Sequence, residues 1–178
     1  MKVFKYIREH WLSLGLILVF LGVLLYQRLP LYLSDRTFIG KAAPDFELAT
    51  LSQSAEPVRL SELQGRKVLI TFWATWCAIC VREMPALGES YRELSGRGLT
   101  IIALTDEEPD RVQQYLEENP VPFPVLHDGF ATVGERYGVR VLPTMVWVDE
   151  NGIVTDVSHG AQYLLSYELR HWVTGGVL

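Results

Sequence analysis

Two cysteines, Cys77 and Cys80, are the residues of this 178-residue chain whose type and spacing could do chemistry. They follow an apolar run, residues 68–75, that is typical of a buried strand, and the residues after them have the spacing of a helix. A cysteine at a helix N-terminus lies at the positive end of the helix dipole, beside unpaired N–H groups that favour the thiolate. This placement predicts that Cys77 is the nucleophile of a thiol-disulfide exchange.

Cys80 lies one turn further along the same face of the predicted helix. From there its thiol could attack a mixed disulfide formed on Cys77 and release a reduced substrate. The pair could instead form a structural disulfide, supply half of a metal site, or be two ordinary core cysteines. The strand and Trp76 directly before the pair favour redox chemistry.

The segments that must position the cysteines alternate between short strands and helices. Strand, helix, strand and helix are followed by a hairpin around Asn151-Gly152 and by a last helix. The predicted strands are residues 68–75, 99–105, 123–128 and two strands within 144–160, and the predicted helices are residues 77–94, 109–118, 131–137 and 161–173. This order predicts an α/β domain with three layers.

The composition excludes several classes of protein. Hydrophobic residues make up 49% of the chain and charged residues 21%, so a disordered tail is excluded. Two cysteines cannot form the framework of a disulfide-stapled miniprotein, and they do not complete a four-ligand zinc site. The net charge of -5 argues against nucleic-acid binding. His127 and His159 belong to no metal-spacing pattern, and we expect no metal and no bound cofactor.

The N-terminal region differs from the rest of the chain. Residues 11–27 are seventeen residues without a charge, which as a helix would be roughly 25 Å long, near the short end of a bilayer span. We expect an uncleaved membrane anchor, with a cleaved signal peptide or a buried helix as alternatives. The predicted division is a cytoplasmic tail and transmembrane anchor at 1–28, a tether at 29–41 and a domain at 42–178 outside the membrane.

Four motifs occur together in the domain: Gly40-Lys41-Ala42-Ala43-Pro44-Asp45-Phe46, Phe72-Trp73-Ala74-Thr75-Trp76-Cys77-Ala78-Ile79-Cys80, Glu83-Met84-Pro85 and Val141-Leu142-Pro143-Thr144. With them, residues 40–174 resemble the thioredoxin superfamily, most closely its membrane-anchored TlpA/ResA/DsbE-like thiol-disulfide oxidoreductases. The resemblance implies a thioredoxin-like fold, in which helices flank a central mixed β-sheet. It also implies a TlpA-type insertion at residues 106–128 and an N-terminal transmembrane helix.

The resemblance implies a substrate-binding surface beside the cysteines. The Leu142-Pro143 bond is expected to be cis, which would leave backbone groups of Leu142 free to pair with an extended substrate. Trp76, Leu142, Pro143 and Thr144 are therefore the expected substrate-binding residues. A trans proline that opens a strand is the alternative for Pro143, and a core-packing role is the alternative for Trp76.

Glu83 is the third expected catalytic residue, beside Cys77 and Cys80. Its spacing alone is that of a solvated helix glutamate. In the ResA-like branch, however, an acid at this motif position lies near the cysteines and influences their proton transfers. Thr71 occupies the strand position where cytoplasmic thioredoxins carry a buried aspartate. The proton-transfer mechanism of those thioredoxins therefore cannot be assumed for this chain.

The resemblance implies a protein disulfide oxidoreductase in the bacterial cytoplasmic membrane, with one span and its domain on the periplasmic or extracytoplasmic side. No histidine lies between the cysteines, as it does in strongly oxidising relatives, and this favours a reductase or isomerase over an oxidant. The implied partners are a membrane electron donor of the DsbD/CcdA type and client proteins with cysteines or disulfides, such as apocytochrome c. A copper-tolerance pathway is a further possibility.

Two other functions depend on different motifs. Copper-delivery members of the superfamily normally carry two cysteines separated by three residues, whereas Cys77 and Cys80 are separated by two. Peroxidases of the peroxiredoxin type carry a Thr-x-x-Cys motif, but Thr75 lies only two positions before Cys77. Neither motif matches this chain. The main alternative function from a different class is a metal-binding module.

Overall fold

The structure is a computed structural model that describes residues 11–51 and 56–176, apart from the side chains of residues 12 and 27–37. The described chain divides into two compact units, one before Phe38 and one from Phe38 onward. Helix α1 (Trp11–Phe38) includes most of the predicted tether. The predicted cytoplasmic tail before Trp11 lies outside the described residues. Where the structure describes the chain, no helix is long and apolar enough to cross a membrane.

A five-stranded sheet forms the centre of the second unit, in the order β5-β4-β3-β6-β7. Its strands are β3 (Lys67–Phe72), β4 (Leu99–Thr105), β5 (Val125–His127), β6 (Thr144–Val148) and β7 (Val154–His159). Strands β3, β4 and β5 are parallel to one another, while β6 and β7 pair antiparallel. The sheet is therefore mixed, and the predicted α/β class is confirmed.

Helices cover the sheet because its central strands are apolar on both faces. Every residue of β4 is buried, which is the pattern of a parallel strand covered on two sides. The helices of this unit are α2 (Ala78–Leu94), α3 (Pro109–Glu118), α4 (Thr132–Arg136) and α5 (Leu165–Thr174). One core cluster includes Trp73, Leu87 and Leu169, and a second cluster includes Ile70 and Tyr137.

The main differences from the sequence prediction are two element boundaries and one additional pair of strands. Strand β3 ends at Phe72 rather than at residue 75, because residues 73–76 form the loop that leads into α2. Helix α5 begins at Leu165 rather than at residue 161, and in the segment before it the N–H of Gln162 is bonded to a side chain of α2. The pair of short strands β1 (Glu47–Leu48) and β2 (Val58–Arg59) is additional.

Asp128 fixes the start of α4 after strand β5. Its side chain is buried, and its two carboxylate oxygens accept the N–H groups of Val133 at 3.1 Å and of Gly134 at 2.8 Å. These amides belong to the first turn of α4, where no preceding carbonyl can accept them. One side chain therefore satisfies two of the donors that the helix leaves unpaired.

Replacing Asp128 with alanine is expected to lower the free energy of unfolding by about 1–2 kcal/mol, because two buried N–H groups would lose their acceptor. Urea unfolding of the oxidised protein measures this difference. Asp156→Ala, at an exposed position of β7, is the matched control and should change the midpoint little. Equal midpoints for the two variants would contradict the role of Asp128.

Candidate active site

Cys77 is the N-cap of α2, in an extended backbone conformation with φ -83° and ψ 97°. Its Sγ accepts the backbone N–H of Cys80 at 3.2 Å, and the two sulfurs form a disulfide with Cα atoms 5.2 Å apart. The structure therefore places the pair at the end of a helix dipole, as the sequence predicts. That position favours negative charge on Cys77 when the disulfide is reduced.

The residues around the disulfide differ sharply in exposure. Cys77 and Cys80 are 7% and 3% exposed, whereas Trp76 is 68% exposed and Ile79 is 37% exposed. Two exposed apolar side chains therefore stand next to the buried sulfurs in the sequence. This arrangement suits a polypeptide substrate, which can bury Trp76 and Ile79 as it approaches the disulfide.

Glu83 is buried in α2, three residues after Cys80, and is only 6% exposed. Its Oε1 accepts the N–H of Gln162 at 2.6 Å, and within the described part of the chain its buried Oε2 has no hydrogen-bond partner. Burial raises the pKa of Glu83, while the Gln162 N–H and the charge of Arg82 act in the opposite direction. Glu83 is therefore not a solvated surface residue, and its catalytic role stays a prediction.

The loop before β6 is fixed by hydrogen bonds to the end of β7. The Leu142-Pro143 bond is cis, as the resemblance implies. The Pro143 carbonyl accepts the N–H of Gly160 at 2.8 Å, and the Thr144 hydroxyl donates to the Val141 carbonyl at 2.8 Å. Pro143 and Thr144 are buried, so Leu142 and Val141 are the more accessible side chains of this loop.

His159 contributes to the same network. Its Nδ1 lies 2.8 Å from the Thr144 Oγ1. Because that hydroxyl already donates its hydrogen to Val141, Nδ1 of His159 carries the hydrogen of this bond. Its predicted role as an ordinary polar residue agrees with this contact, which supports the loop. Among the described residues, no group of three or more His, Cys, Asp or Glu could hold a metal ion.

Trp76 and Leu142 line one cavity of about 320 Å³, which places two of the predicted substrate-binding residues together. Phe72, Trp73 and Leu104 contribute further apolar side chains to its lining. Its charged lining residues are three acids and one base, namely Asp106, Asp128, Glu135 and Arg140. The cavity thus combines an apolar interior with a negative polar part.

Sequence reasoning missed one buried acid near the site. Glu107 follows β4, and its carboxylate accepts both the N–H and the hydroxyl of Thr75, two residues before Cys77. The topology contained a signal for it, because β3 and β4 are parallel and their carboxyl ends meet at one edge of the sheet. An acid in the segment after β4 can therefore lie close to the loop directly after β3.

A family model described as the AhpC/TSA family matches residues 39–157. The chain belongs to this family. A thiol-disulfide oxidoreductase ResA from Halalkalibacterium halodurans is 33% identical over 156 residues, which cover 86% of this chain and 88% of that protein. A thiol-disulfide oxidoreductase ResA from Oceanobacillus iheyensis is 36% identical over 126 residues, which cover 69% of this chain and 66% of that protein.

Solved structures agree with this assignment. A Chlorobium tepidum structure assigned to the thiol:disulfide interchange protein DsbE has a TM-score of 0.71 at 26% identity, covering 78% of this chain and 96% of that chain. The exposed lipoprotein thioredoxin Etrx1 of Streptococcus pneumoniae has a TM-score of 0.66 at 25% identity, covering 74% and 99%. This AhpC/TSA member has a thioredoxin-like fold and is a thiol-disulfide oxidoreductase of the ResA/DsbE type.

The raised pKa of Glu83 makes stability depend on pH. Because the folded protein keeps this proton to higher pH than the unfolded chain, the associated stability is full below the ordinary glutamate pKa of 4.5 and is lost as pH rises through the raised pKa. The free energy of unfolding of the oxidised wild type should therefore fall over this range relative to that of Glu83→Gln. Urea unfolding at a series of pH values measures the difference.

Glu89→Gln is the matched control for this measurement, because Glu89 is exposed on the same helix. Its stability should follow the pH dependence of the wild type. Parallel curves for wild type and Glu83→Gln would show that Glu83 titrates as an ordinary carboxyl, and would contradict the effect of burial.

Proposed function

We propose that the chain is a membrane-anchored, extracytoplasmic protein disulfide reductase or isomerase, in which Cys77 attacks the substrate and Cys80 resolves the mixed disulfide. The observation that carries this proposal is the position of Cys77 at the N-cap of α2, bonded to Cys80 one turn later. The ResA relatives are named thiol-disulfide oxidoreductases, which supports the same chemistry.

In the reducing direction, the Cys77 thiolate attacks one sulfur of a client disulfide. The client S–S bond breaks, one client sulfur leaves as a thiolate, and a mixed disulfide forms on Cys77. Cys80 then attacks the Cys77 sulfur, which releases the second client thiolate and closes the Cys77–Cys80 disulfide. The client gains two electrons and the enzyme loses two. The cysteine pair carries these electrons, so the proposed reaction uses no bound cofactor and no metal.

Glu83 is the proposed proton acceptor for Cys80. A thiol loses its proton when it becomes the attacking thiolate, and Glu83 lies one helical turn from Cys80. Its Oε2 has no hydrogen-bond partner within the described residues, so a lone pair is available for the proton. The raised pKa of Glu83 supports this role, because it brings the pKa of the carboxyl closer to that of a thiol.

Trp76, Leu142, Pro143 and Thr144 are the proposed substrate-binding residues. Backbone groups of Leu142 would pair with an extended client segment beside the disulfide. Pro143 and Thr144 would hold the loop in place through their bonds to Gly160 and Val141. The exposed ring of Trp76 would cover the other side of the segment, and the cavity shared with Leu142 would take a client side chain.

The direction of electron flow follows from the residues between the cysteines. Ala78 and Ile79 supply no histidine of the kind found in strongly oxidising relatives, so a reductase or isomerase is favoured over an oxidant. The proposed client is an oxidised protein such as apocytochrome c, with a copper-tolerance pathway as an alternative destination. Because the compartment is oxidising, the proposed source of electrons is a membrane donor of the DsbD/CcdA type.

Residues 11–27 are the proposed membrane anchor, with residues 29–41 as a tether. No helix of the described residues has the length and apolarity of a membrane span, so support comes from the sequence, in which this run carries no charge, and from the exposure of its described apolar side chains, such as Leu16 at 72% and Leu25 at 70%. The proposed location is the bacterial cytoplasmic membrane, with the domain on the periplasmic or extracytoplasmic side. We also infer that residues 106–128, which contain α3 and β5, are the insertion of the TlpA type.

The proposed roles of Cys77 and Cys80 predict which cysteine variant traps a substrate. Cys80→Ser should accumulate mixed disulfides with an oxidised model substrate such as insulin, because Cys77 can attack but cannot be resolved. Cys77→Ser is the matched control and should trap few or none. Non-reducing electrophoresis followed by mass spectrometry measures both. Equal trapping by the two variants would contradict the assigned roles.

The proposed topology predicts labelling from outside the cell. An alkylating reagent that cannot cross membranes should modify Cys77 in intact cells after mild reduction, because the domain lies outside. Cys77→Ser with the same treatment identifies the labelled site. Modification of Cys77 only after lysis would place the domain in the cytoplasm and would contradict the proposed orientation.

A further inference from the structure

Glu107 is a buried carboxylate beside the active-site loop that the exchange reaction described above does not use. Its side chain is 7% exposed, although it lies in the short segment between β4 and α3 whose neighbouring acids, Asp106 and Glu108, are exposed. A buried carboxylate is costly unless it is hydrogen-bonded or paired with a charge. The contacts of Glu107 therefore indicate what keeps it buried.

Both oxygens of Glu107 contact one residue, Thr75. Oε1 accepts the Thr75 hydroxyl at 2.9 Å, and Oε2 accepts the Thr75 backbone N–H. The Glu107 N–H donates in turn to Oγ1 of Thr105, at the end of β4, at 3.3 Å. Arg111 is the cation beside Oε1, at 3.7 Å, but its side chain is 68% exposed and contributes little. Glu107 thus links Thr75 to the end of β4 through hydrogen bonds.

Thr75 is joined to the nucleophile by a single intervening residue, Trp76. The loop closes with a hydrogen bond from the Cys77 N–H to the Ala74 carbonyl at 3.1 Å. Fixing Thr75 therefore restricts both the entry of the chain into α2 and the place from which Trp76 projects. It also favours the position in which the Cys77 Sγ meets the Cys80 N–H.

We propose that Glu107 is a positioning residue for Cys77: by holding the N–H and hydroxyl of Thr75, it keeps the Cys77 sulfur at the N-terminus of α2. This inference rests on the proposed function, in which Cys77 is the attacking thiol. Glu107 acts through Thr75 and is not assigned any contact with the substrate.

A positioning role and a purely electrostatic role predict opposite changes in the pKa of Cys77. A nearby negative charge disfavours the thiolate, so removing only the charge of Glu107 would lower the Cys77 pKa. Loosening the loop instead weakens the bond from the Cys80 N–H to the sulfur, which raises the Cys77 pKa toward the ordinary thiol value. The sign of the change therefore separates the two roles.

The experiment uses the full chain in detergent, reduced, with two readouts. The alkylation rate of Cys77 is followed against pH by mass spectrometry, and the single-turnover rate of attack on a disulfide substrate is measured at fixed pH. Glu107→Ala should raise the apparent pKa of Cys77 and slow the attack about tenfold, because two hydrogen bonds to Thr75 are lost. Glu107→Gln should recover most of the rate, since its amide oxygen can still accept the Thr75 N–H. Glu108→Gln is the control for loss of one adjacent exposed charge.

Thr75 variants keep the test decisive even where Glu107→Ala does not fold. Thr75→Val removes only the hydroxyl and should slow the attack about fivefold, whereas Thr75→Ser keeps the hydroxyl and should be faster than the valine variant. In the Glu107→Gln background, which lacks the charged acceptor, Thr75→Val should cost less than it does in the wild type.

Three results would overturn the proposal. They are a fall in the Cys77 pKa on Glu107→Ala, equal loss in the alanine and glutamine variants, or equal rates for the serine and valine variants of Thr75. The proposed function fails in a different way, because wild-type Cys77 would then be alkylated with the pKa of an ordinary thiol and would not attack the disulfide substrate. A reactive wild type with unaffected variants would contradict only the role of Glu107.

Discussion

The bond between the Cys77 sulfur and the Cys80 N–H is the interaction on which the site depends. It exists because β3 ends at Phe72 and five residues, the last of them Cys77, lead from there to the start of α2 at Ala78. The sulfur therefore takes the place of an N-cap side chain, and the first-turn amides that stabilise a helix end also stabilise a thiolate. One local geometry thus starts the helix and suits Cys77 to the proposed role of nucleophile.

Two buried acids flank this helix end, and their hydrogen bonding differs in a way that suits two different tasks. Both oxygens of Glu107 accept hydrogen bonds from Thr75, and these bonds restrain the loop. Glu83 has one oxygen bonded to Gln162 and one without a partner in the described region, together with a raised pKa. Glu107 is therefore suited to keep the loop in position, and Glu83 is suited to accept a proton.

The sequence was sufficient for the features that have local signals. Strand β4 and helix α3 have the predicted bounds, because an unbroken apolar run and a proline at the first helical turn mark them. The cis bond before Pro143 followed from the motif. The bond between Gln162 and Glu83 was not predictable, because its two partners lie far apart in sequence. Glu107 was missed for the same reason, since its burial depends on the pairing of β3 with β4.

We propose that the Cys77–Cys80 pair is a reversible, reducing redox couple and not a structural disulfide. A redox titration of the full chain against glutathione and dithiothreitol buffers tests it most directly. We expect one two-electron transition, absent from Cys77→Ser, with a midpoint at or below the roughly -180 mV of disulfide isomerases. A disulfide that no buffer reduces, or a midpoint near the roughly -120 mV of strong oxidants, would contradict the account.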